Sequence, residues 1–192
     1  MLKMETNTKR LAVFIDGSNL YFKLRSLELS NLTKFNYKEF ASWLARDRKV
    51  VSCSYYVGVV KARSGNARSQ QLRKGQQALF WSLSRQDIAV KKGFLMESGG
   101  AYHEKGVDVQ IAVDILVGAY ENLYDAALVL SSDTDLLPAM GKVKALGKEV
   151  EYVGFGHQPS LAMQTVATLS KLILKEELTP FIFDERRSPF SV

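Results

Sequence analysis

The residues best suited to chemistry are aspartates that follow short apolar runs. The run at 11–15 opens into Asp-Gly-Ser-Asn at 16–19, and the run at 127–130 opens into Ser-Ser-Asp-Thr-Asp at 131–135. Short apolar runs are typical of buried parallel strands, and ligands in open α/β sheets bind beyond the carboxyl ends of such strands. We therefore expect the two acidic turns to meet at one edge of a sheet.

A third acidic position completes this constellation. Asp108 begins a segment whose apolar residues recur at helical spacing, so it heads the buried face of a helix. If the strands before the two acidic turns are neighbours, Asp16, Asp133 and Asp135 converge, and Asp108 joins them from the start of this helix. Carboxylates at such close range repel one another, so either one takes up a proton or a cation lies between them.

The cation that such a cluster favours is Mg²⁺ or Mn²⁺. Hard ions prefer oxygen ligands, and Mg²⁺ usually keeps several waters while it binds one or two carboxylates and substrate phosphates. An ion held in this way orients water for in-line attack on a phosphodiester. The chemistry expected of the four aspartates is therefore metal-dependent phosphodiester hydrolysis.

Each aspartate also has a simpler interpretation. Asp-Gly-Ser-Asn at 16–19 is a favourable turn sequence, and either Asp133 or Asp135 suits the N-cap of the next helix. Asp108 suits the positive end of a helix dipole, although its place on the buried stripe makes an unmatched charge costly. Four such coincidences together are less probable than any one of them, which favours a shared site.

Three polar neighbours accompany the acids. Asn19 suits a role in orienting a water or a phosphate oxygen, or else a helix cap, and Ser132 offers a hydrogen bond to the substrate. Asp114 lies about 120° around the helix from Asp108 by the 3.6-residue period. We therefore expect Asp114 to flank the site as a supporting or structural acid.

Alternating strands and helices must position these residues. Strands are predicted at 11–15, 50–60, 88–96, 126–131 and 149–155, with 181–183 as a final edge strand, and helices at 19–28, 36–46, 70–86, 107–122, 135–146 and 159–174. The alternation predicts an α/β fold in which a mostly parallel sheet carries helices on both faces. The helix at 70–86 is expected to face inward through these residues: Leu72, Leu79, Phe80 and Leu83.

Length and composition bound the class of protein. The 192 residues suit one well-buried domain, and 46% hydrophobic with 24% charged residues is ordinary for a soluble globular protein. Cys53 is the sole cysteine, which leaves no intrachain disulfide and no thiolate zinc site. With neither a signal-peptide pattern nor an apolar run of membrane-spanning length, a cytoplasmic setting without membrane attachment is expected.

A basic segment offers a second functional signal. Residues 61–92 contain eight basic side chains and one acidic side chain. Eight minus one gives this segment a net charge of +7, which is more than the net charge of +6 of the whole chain. Such a segment suits the phosphate backbone of a nucleic acid, and a solvated helix face is the alternative. The candidate substrate-binding residues are Lys61, Arg63, Arg68, Arg73 and Lys74.

Three motifs in order resemble the NYN domain family, most closely its LabA-like (DUF88) branch within the PIN-like nuclease group. They are Phe-Ile-Asp-Gly-Ser-Asn-Leu at 14–20, Lys-Gly-Val-Asp-Val-Gln-Ile-Ala-Val-Asp at 105–114 and Leu-Ser-Ser-Asp-Thr-Asp-Leu at 130–136. The similarity spans about residues 10–175, which leaves 1–9 as an N-terminal extension and 176–192 as a C-terminal tail. It implies a PIN-like Rossmannoid fold, a divalent-metal acidic site and ribonuclease activity.

The resemblance also assigns residues by motif. Asp16 and Asn19 belong to the first acidic turn, Asp108 to the helix start, and Asp133 and Asp135 to the third motif. Relatives often have Ser-Gly-Asp-Ser-Asp where this chain has Ser-Ser-Asp-Thr-Asp. The serine at 132 thus replaces a glycine and keeps both acids.

Three functions are consistent with these residues. The first is a ribonuclease in which Mg²⁺ or Mn²⁺ is held by the four aspartates while the basic segment guides RNA. The second is a non-catalytic RNA-binding or regulatory module, and the third is a small-molecule phosphohydrolase. Apolar residues near the end of the chain either cover the core or mediate a homo-oligomer; these are Phe181, Ile182, Phe183 and Phe190.

Overall fold

A seven-stranded sheet forms the centre of the molecule. The computed structural model describes residues 8–29, 32–60, 67–98 and 101–182, with backbone alone for 96–98 and 101–104. The strands within these ranges are β1 (Arg10–Asp16), β2 (Lys49–Val59), β3 (Ala89–Ser98), β4 (Ala101–Lys105), β5 (Ala126–Leu130), β6 (Glu149–Phe155) and β7 (Leu169–Ile173). Their order in the sheet is β4-β3-β2-β1-β5-β6-β7.

The centre of the sheet is the point where the chain changes direction. β1 pairs in parallel with β2 on one side and with β5 on the other. From β1 the chain moves outward through β2 and β3, and then returns to build β5, β6 and β7 on the opposite side. The crevice at the carboxyl ends of β1 and β5 is therefore a topological switch point, the usual place for a ligand in an open α/β sheet.

Helices cover both faces of the sheet, as the sequence predicts. The helices within the described ranges are α1 (Gly17–Ser26), α2 (Tyr37–Ala45), α3 (Ala67–Ser84), α4 (Val107–Tyr120), α5 (Leu137–Ala145), α6 (Leu161–Val166) and α7 (Lys175–Leu178). α1, α2, α3 and α7 pack on one apolar cluster, and α4, α5 and α6 pack on the other. Alternate residues of β1 supply the two clusters, because successive strand side chains point to opposite faces. Each helix described is too short or too polar to cross a lipid bilayer.

The prediction of one helix at 159–174 is wrong. Only Leu161–Val166 is helical, and Leu169–Ile173 is a strand that pairs in parallel with β6. Ser160 caps the short helix, and Ala167 leaves it with an extended backbone at φ −60° and ψ 151°. The edge of β6 supplies backbone partners that local sequence does not reveal, so pairing with β6 overrides the helical pattern.

The sequence also missed one strand and wrongly predicted another. The strand predicted at 88–96 is followed by a second strand, β4, which pairs antiparallel with β3, so the sheet gains a hairpin at its edge. The predicted edge strand at 181–183 is instead a 3₁₀ turn, Thr179–Phe181, followed by an isolated bridge from Ile182 to Phe35; residue 183 lies outside the described residues. Phe181 is 8% exposed and covers the core, so the packed structure continues at least to this residue.

One core assignment in the basic helix is also wrong. Leu79 and Leu83 are buried and Phe80 is partly buried, but Leu72 is 43% exposed. Midway along α3, Gln76 contacts the sheet through its side-chain amide, which donates to the Gly58 carbonyl and accepts from the Val60 amide. A polar contact thus replaces the apolar contact expected of Leu72.

Candidate active site at the carboxyl edge of the sheet

Asp16 occupies the switch point. It is the last residue of β1 and the N-cap of α1, where its Oδ1 accepts a 2.9 Å hydrogen bond from the Asn19 amide. Asp16 is only 5% exposed to solvent. The cap role and a site role are therefore combined in one carboxylate, because a helix N-terminus at a strand end both needs an acceptor and favours negative charge.

A single hydroxyl joins the first acidic turn to the third. Ser131 lies one residue beyond the last pair of the β1–β5 ladder, Ile15 with Leu130, and its side chain is buried. Its Oγ donates to Oδ2 of Asp16 at 2.7 Å and accepts from the backbone N–H of Asp133 at 3.1 Å. The two turns that are distant in sequence therefore meet at one edge of the sheet, as predicted.

The third turn is shaped by Asp133 itself. Its Oδ1 accepts a 2.9 Å hydrogen bond from the Asp135 amide, and it caps the 3₁₀ turn Thr134–Leu136 before α5. Asp133 is partly buried, whereas Asp135 is exposed. The capping role that the sequence left open thus belongs to Asp133, and Asp135 presents its carboxylate to solvent beside the edge.

Asp108 reaches the same edge from α4. β4 ends at Lys105, which pairs with Phe94, and Phe94 lies level with Val59 at the carboxyl end of β2. α4 then returns the chain to the start of β5, so its first turn lies at the carboxyl edge and its last turn at the amino edge. Val107 and Ile111 pack in the same apolar cluster as Leu136, which belongs to the third acidic turn. Asp108 is partly buried in this first turn.

A comparison with known protein families shows which family this chain belongs to. The NYN domain model matches residues 10–173, most of the chain. The chain belongs to the NYN domain family. A crystal structure of a protein of unknown function from Vibrio parahaemolyticus is also similar, with 19% sequence identity, a TM-score of 0.62 and coverage of 93% of this chain and 99% of that chain. No curated protein matches the chain.

Family membership confirms the resemblance that the three motifs carry. The NYN domain lies within the PIN-like nuclease superfamily, whose nucleases generally use divalent metals and act on RNA. The Vibrio structure, at its low sequence identity, supports the fold alone. The match does not distinguish branches of the family, so the LabA-like (DUF88) assignment stays a prediction.

The NYN site has an unusual free acceptor beside Asp16. Oδ1 of Asn19 is buried and has no hydrogen-bond partner among the described residues. Buried polar atoms are almost always paired, so an orphan acceptor indicates a missing donor or cation. An amide oxygen next to a buried carboxylate is a suitable donor set for a hard divalent ion or for its bound water.

The aspartates do not form a metal site that is enclosed by protein ligands alone. Among the described residues, no group of three or more histidine, cysteine, aspartate or glutamate side chains is close enough to hold a metal ion by itself. Mg²⁺ commonly binds through only one or two carboxylates and completes its shell with water and substrate phosphates. The donor set at Asp16 and Asn19 fits such an open site.

Ser132, the residue in place of the glycine of relatives, points to a structural partner. Its Oγ lies 3.4 Å from the Tyr152 hydroxyl, which also accepts a 3.0 Å hydrogen bond from the Ser160 amide. Tyr152 is fully buried. Ser132 therefore links the acidic turn to the loop after β6.

Two residues of the NYN site are not among those predicted from the sequence. In the sequence, Ser131 resembles an ordinary turn residue. It does, however, directly follow an apolar run, as Asp16 does. Tyr56 pairs in register with Asp16, and its hydroxyl donates to Asp114 at 2.9 Å. Burial and the neighbouring Asp114 carboxylate raise the pKa of this tyrosine well above its ordinary value.

Asp114 is held by three partners. Besides Tyr56, it accepts a 2.7 Å hydrogen bond from the Gln110 amide and pairs with Lys91 at 3.4 Å. These contacts fasten α4 to β2 and β3 beyond the first turn that carries Asp108. They fit the structural role that the sequence left open for this acid.

Part of the basic segment flanks the same edge. α3 returns the chain from the carboxyl end of β2, and Gln76 contacts Gly58 and Val60 at that end. The N-terminal part of α3 therefore lies at the same edge of the sheet as the acidic turns, and Arg68, Arg73 and Lys74 are exposed there. Lys61 and Arg63 lie outside the described residues.

Proposed function

We propose that this NYN protein is a divalent-metal-dependent ribonuclease that hydrolyses phosphodiester bonds at the edge formed by β1, β5 and α4. The observation that carries the proposal is the hydrogen-bonded chain from Asp16 through Ser131 to Asp133. It unites the first and third acidic motifs at the switch point, where an open α/β sheet binds its ligand.

Asp16 is the central ligand in this proposal. A buried carboxylate favours a cation close to it, and hydrogen bonds from Asn19 and Ser131 fix the orientation of Asp16. A carboxylate oxygen accepts more than one partner at a time, so these bonds are compatible with a bound ion. Asn19 adds the free amide oxygen beside it.

The other acids would complete the site at its open side. Asp133 is fixed by its cap, whereas Asp135 and Asp108 approach from the third turn and from α4. We assign them to a bound ion directly or through water. A Mg²⁺ or Mn²⁺ ion supplies positive charge to the phosphate oxygens and lowers the pKa of a bound water.

Basic residues on α3 would bind the phosphates of the RNA strand and guide it toward the acidic site. Arg68, Arg73 and Lys74 are exposed, and none of them has an ion pair within the described part of the chain. Such side chains bind phosphates without reading sequence. Lys61 and Arg63 extend the same segment in sequence.

We also propose a cytoplasmic setting. Cys53 is a free, buried thiol, and its burial raises its pKa to about 12. A thiol with so little thiolate character is inert toward oxidation and metals. A buried free thiol of this kind suits a compartment in which thiols stay reduced.

The test is cleavage of labelled single-stranded and structured RNA in Mg²⁺, in Mn²⁺ and in chelator. We expect metal-dependent cleavage by the wild type and a loss of at least about 100-fold in the Asp16→Asn and Asp133→Asn variants. Asp47→Asn, at an exposed position near the amino edge, is the matched control and should cleave like the wild type. Equal activity in Asp16→Asn would exclude this active site.

A non-catalytic RNA-binding module is the second candidate. It is favoured by the lack, among the described residues, of three acids close enough to hold an ion. A non-catalytic module should bind RNA in a salt-sensitive way and should not cleave it in any divalent metal. Hydrolysis of a generic phosphate ester but not of RNA would instead indicate a small-molecule phosphohydrolase.

A further inference from the structure

Two aromatic side chains are exposed on the first helix after Asp16. Phe22 is 63% exposed and Tyr21 is 40% exposed on α1. Their rings form an edge-to-face pair, with centroids 5.3 Å apart and planes at 68°. This geometry supports the Phe22 ring from one side and leaves it open to solvent on the other.

Phe22 is a near neighbour of the acidic turn. It lies four residues after Ser18 and three after Asn19 on the same helix, and side chains at these spacings are about 5–6 Å apart on a helix surface. Asn19 carries the free buried acceptor beside Asp16. A phosphate at this point would therefore bring its own nucleotide, or the next one, within reach of the Phe22 ring.

The charge around the ring suits a nucleic acid. α1 contains no acidic residue, and Lys23 and Arg25 lie in its last turns. The Lys23 ammonium donates to the carbonyl and the side-chain oxygen of Gln158, two neutral acceptors, and within the described parts of the chain it has no ion pair. An apolar ring with cationic neighbours favours a ligand that combines flat aromatic groups with negative charge.

We propose that Phe22, supported by Tyr21, stacks on an unpaired base of an RNA strand whose phosphate lies at Asp16 and Asn19. This inference rests on the proposed function and narrows its substrate to RNA that is single-stranded at the cleavage site. A base inside a duplex is already stacked on both sides and offers no free face. Stacking is tolerant of base identity, so no sequence preference follows from it.

The test is binding of a short labelled single-stranded RNA to the full chain in chelator, followed by steady-state cleavage in Mg²⁺. We expect Phe22→Ala to weaken binding roughly tenfold and to raise KM with kcat unchanged. The slope of affinity against salt concentration should stay the same, because the ring carries no charge and neutralises no phosphate. Phe22→Trp should restore binding.

Two controls separate stacking from general damage. Tyr120→Ala removes an aromatic side chain of matching exposure, 61%, at the end of α4 on the amino edge of the sheet, and should bind RNA like the wild type. An RNA that is abasic around the cleavage site should bind the wild type and Phe22→Ala equally. Each variant is first shown to be folded by its thermal unfolding curve.

The outcomes separate this inference from the proposed function. Wild-type affinity in Phe22→Ala, together with normal cleavage, would overturn the stacking contact alone and assign the aromatic face to another partner. Weakened binding in Phe22→Ala without cleavage by the wild type would support the stacking contact and contradict the nuclease. Absence of RNA binding by the wild type would overturn both.

Discussion

The carboxylate of Asp16 accepts a 2.7 Å hydrogen bond from the hydroxyl of Ser131, a residue 115 positions away in the chain. Both side chains are nearly fully buried, and the contact crosses the two central parallel strands where each one ends. This hydrogen bond holds the turn after β1 and the turn after β5 together at the carboxyl edge of the sheet. The candidate site therefore depends on a residue that carries no charge.

We expect Ser131→Ala to lower RNA cleavage by about 10- to 100-fold, the usual loss when a supporting partner of a metal ligand is removed. The alanine removes the hydrogen bond that Ser131 donates to Oδ2 of Asp16 and the one that it accepts from the Asp133 amide. The measurement is kcat/KM in Mn²⁺. Ser132→Ala is the matched control and should lose far less, since the one hydrogen-bond contact of the Ser132 hydroxyl among the described residues is with the Tyr152 hydroxyl at 3.4 Å. Equal rates in the two variants would contradict the role of Ser131.

Gly17→Ala should destabilise the fold by about 2 kcal/mol or more, as overpacking does. A Cβ at this position would lie 2.7 Å from the backbone oxygen of Tyr56 and 2.6 Å from Cζ of the Tyr55 ring. The glycine of the first motif is thus required by the close approach of β2. Urea unfolding measures the effect.

Gly141→Ala provides the comparison for that substitution. Gly141 lies within α5 and a Cβ there meets nothing within 4 Å. Alanine has the higher helix propensity, so this variant should gain up to about 1 kcal/mol. A Gly17→Ala protein as stable as Gly141→Ala would show that β2 does not restrict the turn.

Arg73→Gln and Lys74→Gln should each weaken RNA binding and reduce its salt dependence. Removing the charge that neutralises one phosphate of a single strand reduces the slope of log affinity against log salt by about 0.7. Anisotropy titrations at several salt concentrations measure this slope. Lys142→Gln, at an exposed position on α5 remote from the acidic edge, should leave the slope unchanged. An unaltered slope in both α3 variants would place the RNA elsewhere.

Asp125 should make stability depend on acid pH. Hydrogen bonds from the Arg10 side chain and amide lower the pKa of Asp125 to about 2 in the folded chain. The unfolded pKa is about 3.9. A depressed folded pKa contributes stability that is fully present above the unfolded value and is lost as the pH falls toward the folded value.

The measurement is the melting temperature of the wild type and of Asp125→Asn between pH 7 and pH 2. The wild type should melt higher at pH 6, and the difference should shrink as the pH drops from about 4 to about 2. Because the pair is more than one-third exposed, the difference should be modest. A difference that is constant over this range would contradict the assignment.

Much of the fold could be predicted from local sequence. β5 and residues 11–15 of β1 are continuous apolar runs because both faces of the sheet are covered by helices, and the predicted bounds of β6 match those observed, Glu149–Phe155. The end of α5 is also marked in the sequence, since Gly147 adopts the left-handed backbone at φ +79° that follows many helices.

The features that could not be predicted depend on partners that are distant in the chain. β7 exists because the edge of β6 is free to pair with Leu169–Ile173, and this pairing is not encoded in the local pattern. Leu72 is exposed because Gln76 makes the contact with the end of β2. In the site, the acids are recognisable from their positions after strands, but the role of Ser131 depends on the register of β1 with β5.

The most direct test of the account is Mn²⁺ binding, measured by electron paramagnetic resonance without substrate. We expect one saturable site in the wild type, at least about tenfold weaker in Asp16→Asn and in Asp133→Asn, and unchanged in Asp114→Asn, whose carboxylate is held by Tyr56, Gln110 and Lys91. Binding of equal affinity in the wild type and in Asp16→Asn would contradict the claim that these acids share an ion.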